Sequence, residues 1–174
     1  MPQSELPKRK SPRLKEYDYS TPGAYFITIC TAGRKCILSD ITVGEGLAPP
    51  ETKLSAIGQI VAEQILDLSR RYPSVSVDKY VIMPNHVHLL ISLAAGEISG
   101  GASPSPTVMD IVRAMKSISA RQCSMFFRIK PLWQRSFHEH VIRNERDYLE
   151  IWQYIDNNPA HWAEDCFAPE IVFS

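Results

Sequence analysis

Apolar residues along this chain fall into runs whose spacing switches between the two-residue repeat of a strand and the longer repeat of a helix. Residues 24–31 are β-branched and aromatic (AYFITICT) and predict a first strand. A loop carrying Gly44, Gly46, Pro49 and Pro50 is expected next. Residues 54–71 then place Ile57, Ile60, Val61, Ile65 and Leu68 at helical spacing, with Pro73 just beyond the end. Two strand-like runs follow, 75–83 and 86–93, joined at the turn dipeptide Pro84-Asn85. Residues 97–106 (EISGGASPSP) have linker composition. Thr107 is a candidate cap for a second long helix reaching about Phe127, residues 137–142 form a short strand, and Asn144 caps a helix to Asn157 before Pro159.

The order β-α-β-β-α-β-α matches, in its first six elements, the split βαβ, ferredoxin-like plan. That plan is an α+β fold with an antiparallel sheet and its helices on one face. The seventh element is an added C-terminal helix. Residues 1–22, with Lys8, Arg9, Lys10, Arg13 and Lys15 among Pro and Ser, read as a basic extended arm, and 23–174 as a single domain.

A length of 174 residues suits one domain with its own core, and 44% hydrophobic with 22% charged residues is an ordinary globular composition. No run approaches the roughly 18 apolar residues of a membrane span, and residues 1–10 are too polar for a secretory signal. Four scattered cysteines, with no CxxC pair, fit reduced thiols in a cytoplasmic protein. Net charge is zero but unevenly spread: residues 1–143 carry 18 Lys/Arg against 12 Asp/Glu, and residues 144–174 carry 1 against 7. Such asymmetry is compatible with a basic groove on a neutral protein, or with nothing more than a solvated surface.

The sharpest chemical feature is Pro84-Asn85-His86-Val87-His88. On a strand, residues i and i+2 share a face, so His86 and His88 project side by side and can hold one divalent metal. Leu90 and Ile91 stand where other His-x-His enzymes need a further His or Asp, and no cysteine pair lies nearby for a closed zinc site. His138-Glu139-His140 is a second pair on a probable strand, and spacing alone does not choose between them.

In the last helix, Tyr148, Trp152 and Ile155 make an apolar stripe from which Tyr154 departs. Asn158, whose amide oxygen can ligate a metal, lies one turn further on the face of Tyr154, and Asp147 two turns back. The helix from Thr107 sets Val108, Ile111, Val112, Met115 and Ile118 on one face and Arg113, Lys116 and Arg121 on the other. With Arg128, Lys130 and Arg135, residues 107–135 carry six basic charges against one acidic, a candidate phosphate-tracking surface with Trp133 and Phe137 as stacking candidates.

Taken in order, Arg13-Leu14, Tyr17-Asp18-Tyr19-Ser20, Gly23-Ala24-Tyr25-Phe26, Met83 to His88, Trp133 to Phe137, His140 to Asn144, Tyr154-Ile155, Asn158-Pro159 and Trp162 resemble a known pattern. The chain is similar, over nearly its whole length, to the single-tyrosine transposases of the HUH superfamily, in particular the REP-associated tyrosine transposase group. The resemblance implies that His86 and His88 are the metal pair, Asn158 a third ligand and Tyr154 the nucleophile. The cofactor would be Mg²⁺ or Mn²⁺, and the substrate single-stranded or hairpin DNA of palindromic repeats, cut and rejoined through a 5′-phosphotyrosine. Arg13, Arg113, Lys116, Arg121 and Arg135 would contact DNA. A homodimer and a monomer are both compatible with it. The alternative is a non-catalytic nucleic-acid-binding protein of the same fold, which is less favoured because RNP-type aromatic runs are absent from the strands.

Overall fold

The structure, a computed structural model, describes residues 18, 20–42, 49–95 and 106–164. Arg13 and most of the expected arm, Gly44 and Gly46, nearly all of the expected linker and the last ten residues lie outside the described residues.

Four strands form one antiparallel sheet: β1 (Gly23–Cys30), β4 (Val75–Ile82), β5 (His86–Leu93) and β6 (His138–Ile142), in the order β4-β5-β1-β6. This is the strand order of the split βαβ plan, as the sequence pattern predicts. The two helical crossovers are α1 (Ala56–Leu66), extended by the short α2 (Leu68–Arg71), and α3 (Val108–Phe127). Alternation along β5 sends Val87, Leu89, Ile91 and Leu93 into one apolar cluster with Val61 and Ile65 of α1 and with Val108, Ile111, Val112 and Met115 of α3. The core therefore lies between the sheet and these two helices. The opposite face carries His86 and His88 and receives α4 (Glu145–Asn157), which packs on β4 and β5. That second cover explains why β5 is buried on nearly every residue instead of every other one.

Local chemistry sets the helix ends. The Thr107 side chain accepts from the Asp110 amide while the Asp110 carboxylate accepts from the Thr107 amide, a reciprocal cap. The Asn144 side chain accepts from the Asp147 amide at 2.9 Å, fixing where α4 begins.

Two expectations need correction. The loop before α1 contains a two-stranded ribbon, β2 (Ser39–Thr42) paired with β3 (Glu51–Leu54), too short for its period to show in the sequence. The helix expected from Leu54 starts instead at Ala56, because Leu54 pairs with Ser39 and Ser55 caps the helix by accepting from the Gly58 amide. Gly58 also lets α1 approach closely: a Cβ there would stand 2.0 Å from the Leu38 carbonyl oxygen.

Candidate active site

His86 and His88 are 0% and 1% exposed, and their Nε2 atoms stand 3.1 Å apart. Each ring is held through its other nitrogen. Asn85 donates from Nδ2 to the Arg34 carbonyl at 3.2 Å, which turns its Oδ1 toward His86 Nδ1 at 2.9 Å. A carboxamide oxygen only accepts, so His86 carries its proton on Nδ1 and presents a lone pair at Nε2. His88 Nδ1 lies 2.8 Å from the hydroxyl of Thr28, its partner across the β1–β5 ladder. That hydroxyl can accept a hydrogen bond from Nδ1–H, and in that tautomer the second Nε2 is unprotonated as well. Burial, and after it the repulsion that a protonated His86 exerts, pulls His88 down from 6.5 to about 2, so this imidazole is neutral at physiological pH.

These residues fit a divalent cation. The two Nε2 atoms, 3.1 Å apart, share a hydrogen bond when one of them carries a proton; with both unprotonated they match two adjacent ligands each about 2.1 Å from one ion. Asn158, the residue that follows α4, carries a candidate donor: it is 4% exposed, and its amide oxygen has no hydrogen-bond partner among the described residues. A buried amide oxygen left without a partner is costly, and a cation removes that cost.

Tyr154 is brought to the same place. Its hydroxyl lies 3.3 Å from His88 Nε2 while the residue remains 44% exposed. Helix α4 is fastened on several sides. Ile155 is buried, Lys79 Nζ of β4 pairs with Asp156 at 2.5 Å and sits over the Trp152 ring, and His140 of β6 pairs with Asp147 at 2.9 Å. The fastening presents Tyr154 to histidines of its own chain. Phe26 stacks on His88 with ring centroids 5.1 Å apart and meets Tyr154 edge-on at 6.0 Å; Trp162 lies tilted beside His86 at 6.1 Å.

The other histidine pair is set apart. His138 and His140 lie on β6, on the far side of β1 from His86 and His88, and His140 is engaged with Asp147. Arg113, Lys116, Arg121 and Arg135 gather elsewhere, around a cleft of about 840 Å³ between α3 and residues 129–137. Lys116 there is inward-turned: its ammonium donates to the carbonyls of Gln134 at 2.8 Å and Arg135 at 3.1 Å, and burial lowers its pKa. Arg113 is mostly exposed and pairs with Asp110. Thr28, Asn85 and Phe26 are residues that sequence reasoning gave no site role. Only Asn85 could have been found, as the immediate neighbour of His86; Thr28 and Phe26 become visible once the β1–β5 register is known.

Residues 55–158, which include both histidines, Tyr154 and Asn158, match the family described as transposase IS200 like. This chain belongs to the IS200-like transposase family. Among relatives of this chain, an uncharacterized protein of Haemophilus influenzae is 33% identical over 171 residues, covering 90% of this chain and 91% of the relative. The REP-associated tyrosine transposase of Escherichia coli is 28% identical over 102 residues, 59% of this chain and 54% of that protein. A REP-associated tyrosine transposase solved bound to a REP hairpin shares the fold, with a TM-score of 0.59 at 23% identity over 87% of this chain and 73% of that one. The likeness to the REP-associated group expected from the motifs thus holds. Among the described residues, no helix is long and apolar enough to cross a membrane.

Proposed function

We propose that this transposase cuts and rejoins single-stranded DNA by transesterification, with Tyr154 as nucleophile, at hairpin-forming palindromic repeats. One observation carries the reading: a partly exposed phenol on α4 stands 3.3 Å from one of two buried, converging imidazoles of the same chain. The Tyr154 oxygen forms a bond to phosphorus as the bond from phosphorus to the 3′ oxygen breaks. The phenolic proton passes, directly or through solvent, to the departing oxygen, giving a 5′-phosphotyrosine and a free 3′-OH. One phosphodiester replaces another, so the reverse attack reseals the strand without a nucleotide cofactor.

His86, His88 and Asn158 would hold Mg²⁺ or Mn²⁺, which polarises the phosphoryl oxygen and offsets charge in the transition state. The chain's own contribution is orientation. A phenol near pKa 10 is about 4 kcal/mol from ionised at neutral pH, so its placement must be tightly fixed. The anchoring of α4 by Lys79, His140 and Ile155 fixes it. Thr28 and Asn85 hold the imidazoles in the ligating tautomer. Arg113, Arg121 and Arg135 at the α3 cleft, together with Arg13, would track the DNA backbone.

The test is a denaturing gel of protein incubated with a labelled hairpin-bearing oligonucleotide and Mn²⁺ or Mg²⁺. Wild type yields a protein–DNA adduct, and Tyr154→Phe binds the oligonucleotide without forming one. A binding protein or a water-using hydrolase leaves no adduct in either case. An adduct from Tyr154→Phe at the wild-type rate overturns the assignment.

A further inference from the structure

Phe26 and Trp162 are large apolar residues placed where the hydrophobic core does not use them. Both lie on the sheet face that carries the histidines, both are half-buried, and neither belongs to the apolar cluster or to the residues packed against it. They form instead the two ends of a row of rings. Phe26 to His88 is 5.1 Å between centroids, His88 to His86 is 4.5 Å, and His86 to Trp162 is 6.1 Å. The imidazoles and the Tyr154 hydroxyl occupy the middle of that row, with one aromatic ring beyond each imidazole.

We propose that Phe26 and Trp162 are stacking platforms for the two bases that flank the scissile phosphate, one platform to each side. The proposal rests on the strand-cutting reading of the same site. A phosphorus attacked by Tyr154 must come within about 3–3.5 Å of its oxygen, over the imidazole pair. Each flanking base is joined to that phosphate through a single sugar, so both bases fall within reach of the ends of the row. Base–aromatic stacking tolerates any base, since every base has a π face. The two rings therefore fix where the strand lies and which bond faces Tyr154, and leave the choice of sequence to other contacts.

The experiment uses oligonucleotides with a single abasic residue on either side of the cut, and follows the rate of adduct formation against oligonucleotide concentration. With wild-type protein each abasic substitution is expected to raise KM by roughly 5- to 100-fold, the range of one lost base stack. Trp162→Ala should raise KM for the intact oligonucleotide similarly and make the enzyme indifferent to the abasic residue on one side only. Phe26→Ala should do the same for the other side, and Trp162→Phe should restore near-normal KM. Wild-type adduct formation that ignores both abasic positions overturns the platforms while leaving the nucleophile standing. Penalties that multiply independently when variant and abasic residue are combined also overturn them. No adduct from wild type with the intact oligonucleotide removes the strand-cutting reading itself, and this inference with it.

Discussion

Replacing His88 tests whether the imidazole pair is held neutral in the fold. The ring is 1% exposed, and burial with the neighbouring charge of His86 takes it from 6.5 to about 2. The folded value lies below the unfolded one, so the unfolded chain binds the extra proton as pH falls through about 6.5, and stability is lost on acidification. At about pH 5 the unfolded imidazole is almost fully charged and the folded one almost fully neutral, a penalty of about 2 kcal/mol; at about pH 7.5 it is close to zero. For a chain of this size that penalty lowers the melting temperature by roughly 4–8 °C. The assay is thermal unfolding by circular dichroism, in chelator, at about pH 7.5 and about pH 5, of wild type and His88→Gln. Glutamine does not titrate there and retains polar atoms for Thr28, so titrating groups other than the neighbouring His86 cancel in the comparison. Wild type should lose roughly 4–8 °C more than the variant between the two pH values. Equal losses would mean that the ring accepts its proton in the folded state, and the neutral, ligating imidazole pair would have to be given up.

Two further outcomes follow from the same geometry. Thr28→Val keeps the shape of a buried residue but removes the hydroxyl 2.8 Å from His88 Nδ1, and should weaken Mn²⁺ binding in calorimetric titration by about 10- to 100-fold, with Thr28→Ser near wild type; unchanged binding by the valine variant would dismiss this role. Gly58→Ala sets a methyl 2.0 Å from the Leu38 carbonyl oxygen and should cost about 2–3 kcal/mol in urea unfolding, an expectation that an unshifted midpoint would defeat.

Much of this protein was legible in the order of its residues. The two periods located every strand of the main sheet and its covering helices, because alternation and helical spacing are local consequences of burying one face. Capping residues were equally local: Thr107 and Asn144 begin their helices where the sequence places them. That His86 and His88 share a face, and that Tyr154 departs from the apolar stripe of its helix, also followed from spacing alone; of that stripe only Ile155 is buried, Tyr148 and Trp152 being half-buried. The tertiary structure decided what no local period encodes. Which of two His-x-His pairs meets the tyrosine depends on strand order: β5 is central and lies beneath α4, whereas β6 is at the edge and spends His140 on Asp147. Thr28 and Phe26 reach His88 only through the β1–β5 register, and Trp162 reaches His86 from the 3-10 segment Asn158–Glu164 that follows α4. Lys116 looked like any other cation on a polar helix face until the segment 134–136 folded over it and accepted its hydrogen bonds. Convergence of residues 66 positions apart, as between His88 and Tyr154, is fixed by packing across layers, and that packing is a property of the whole chain.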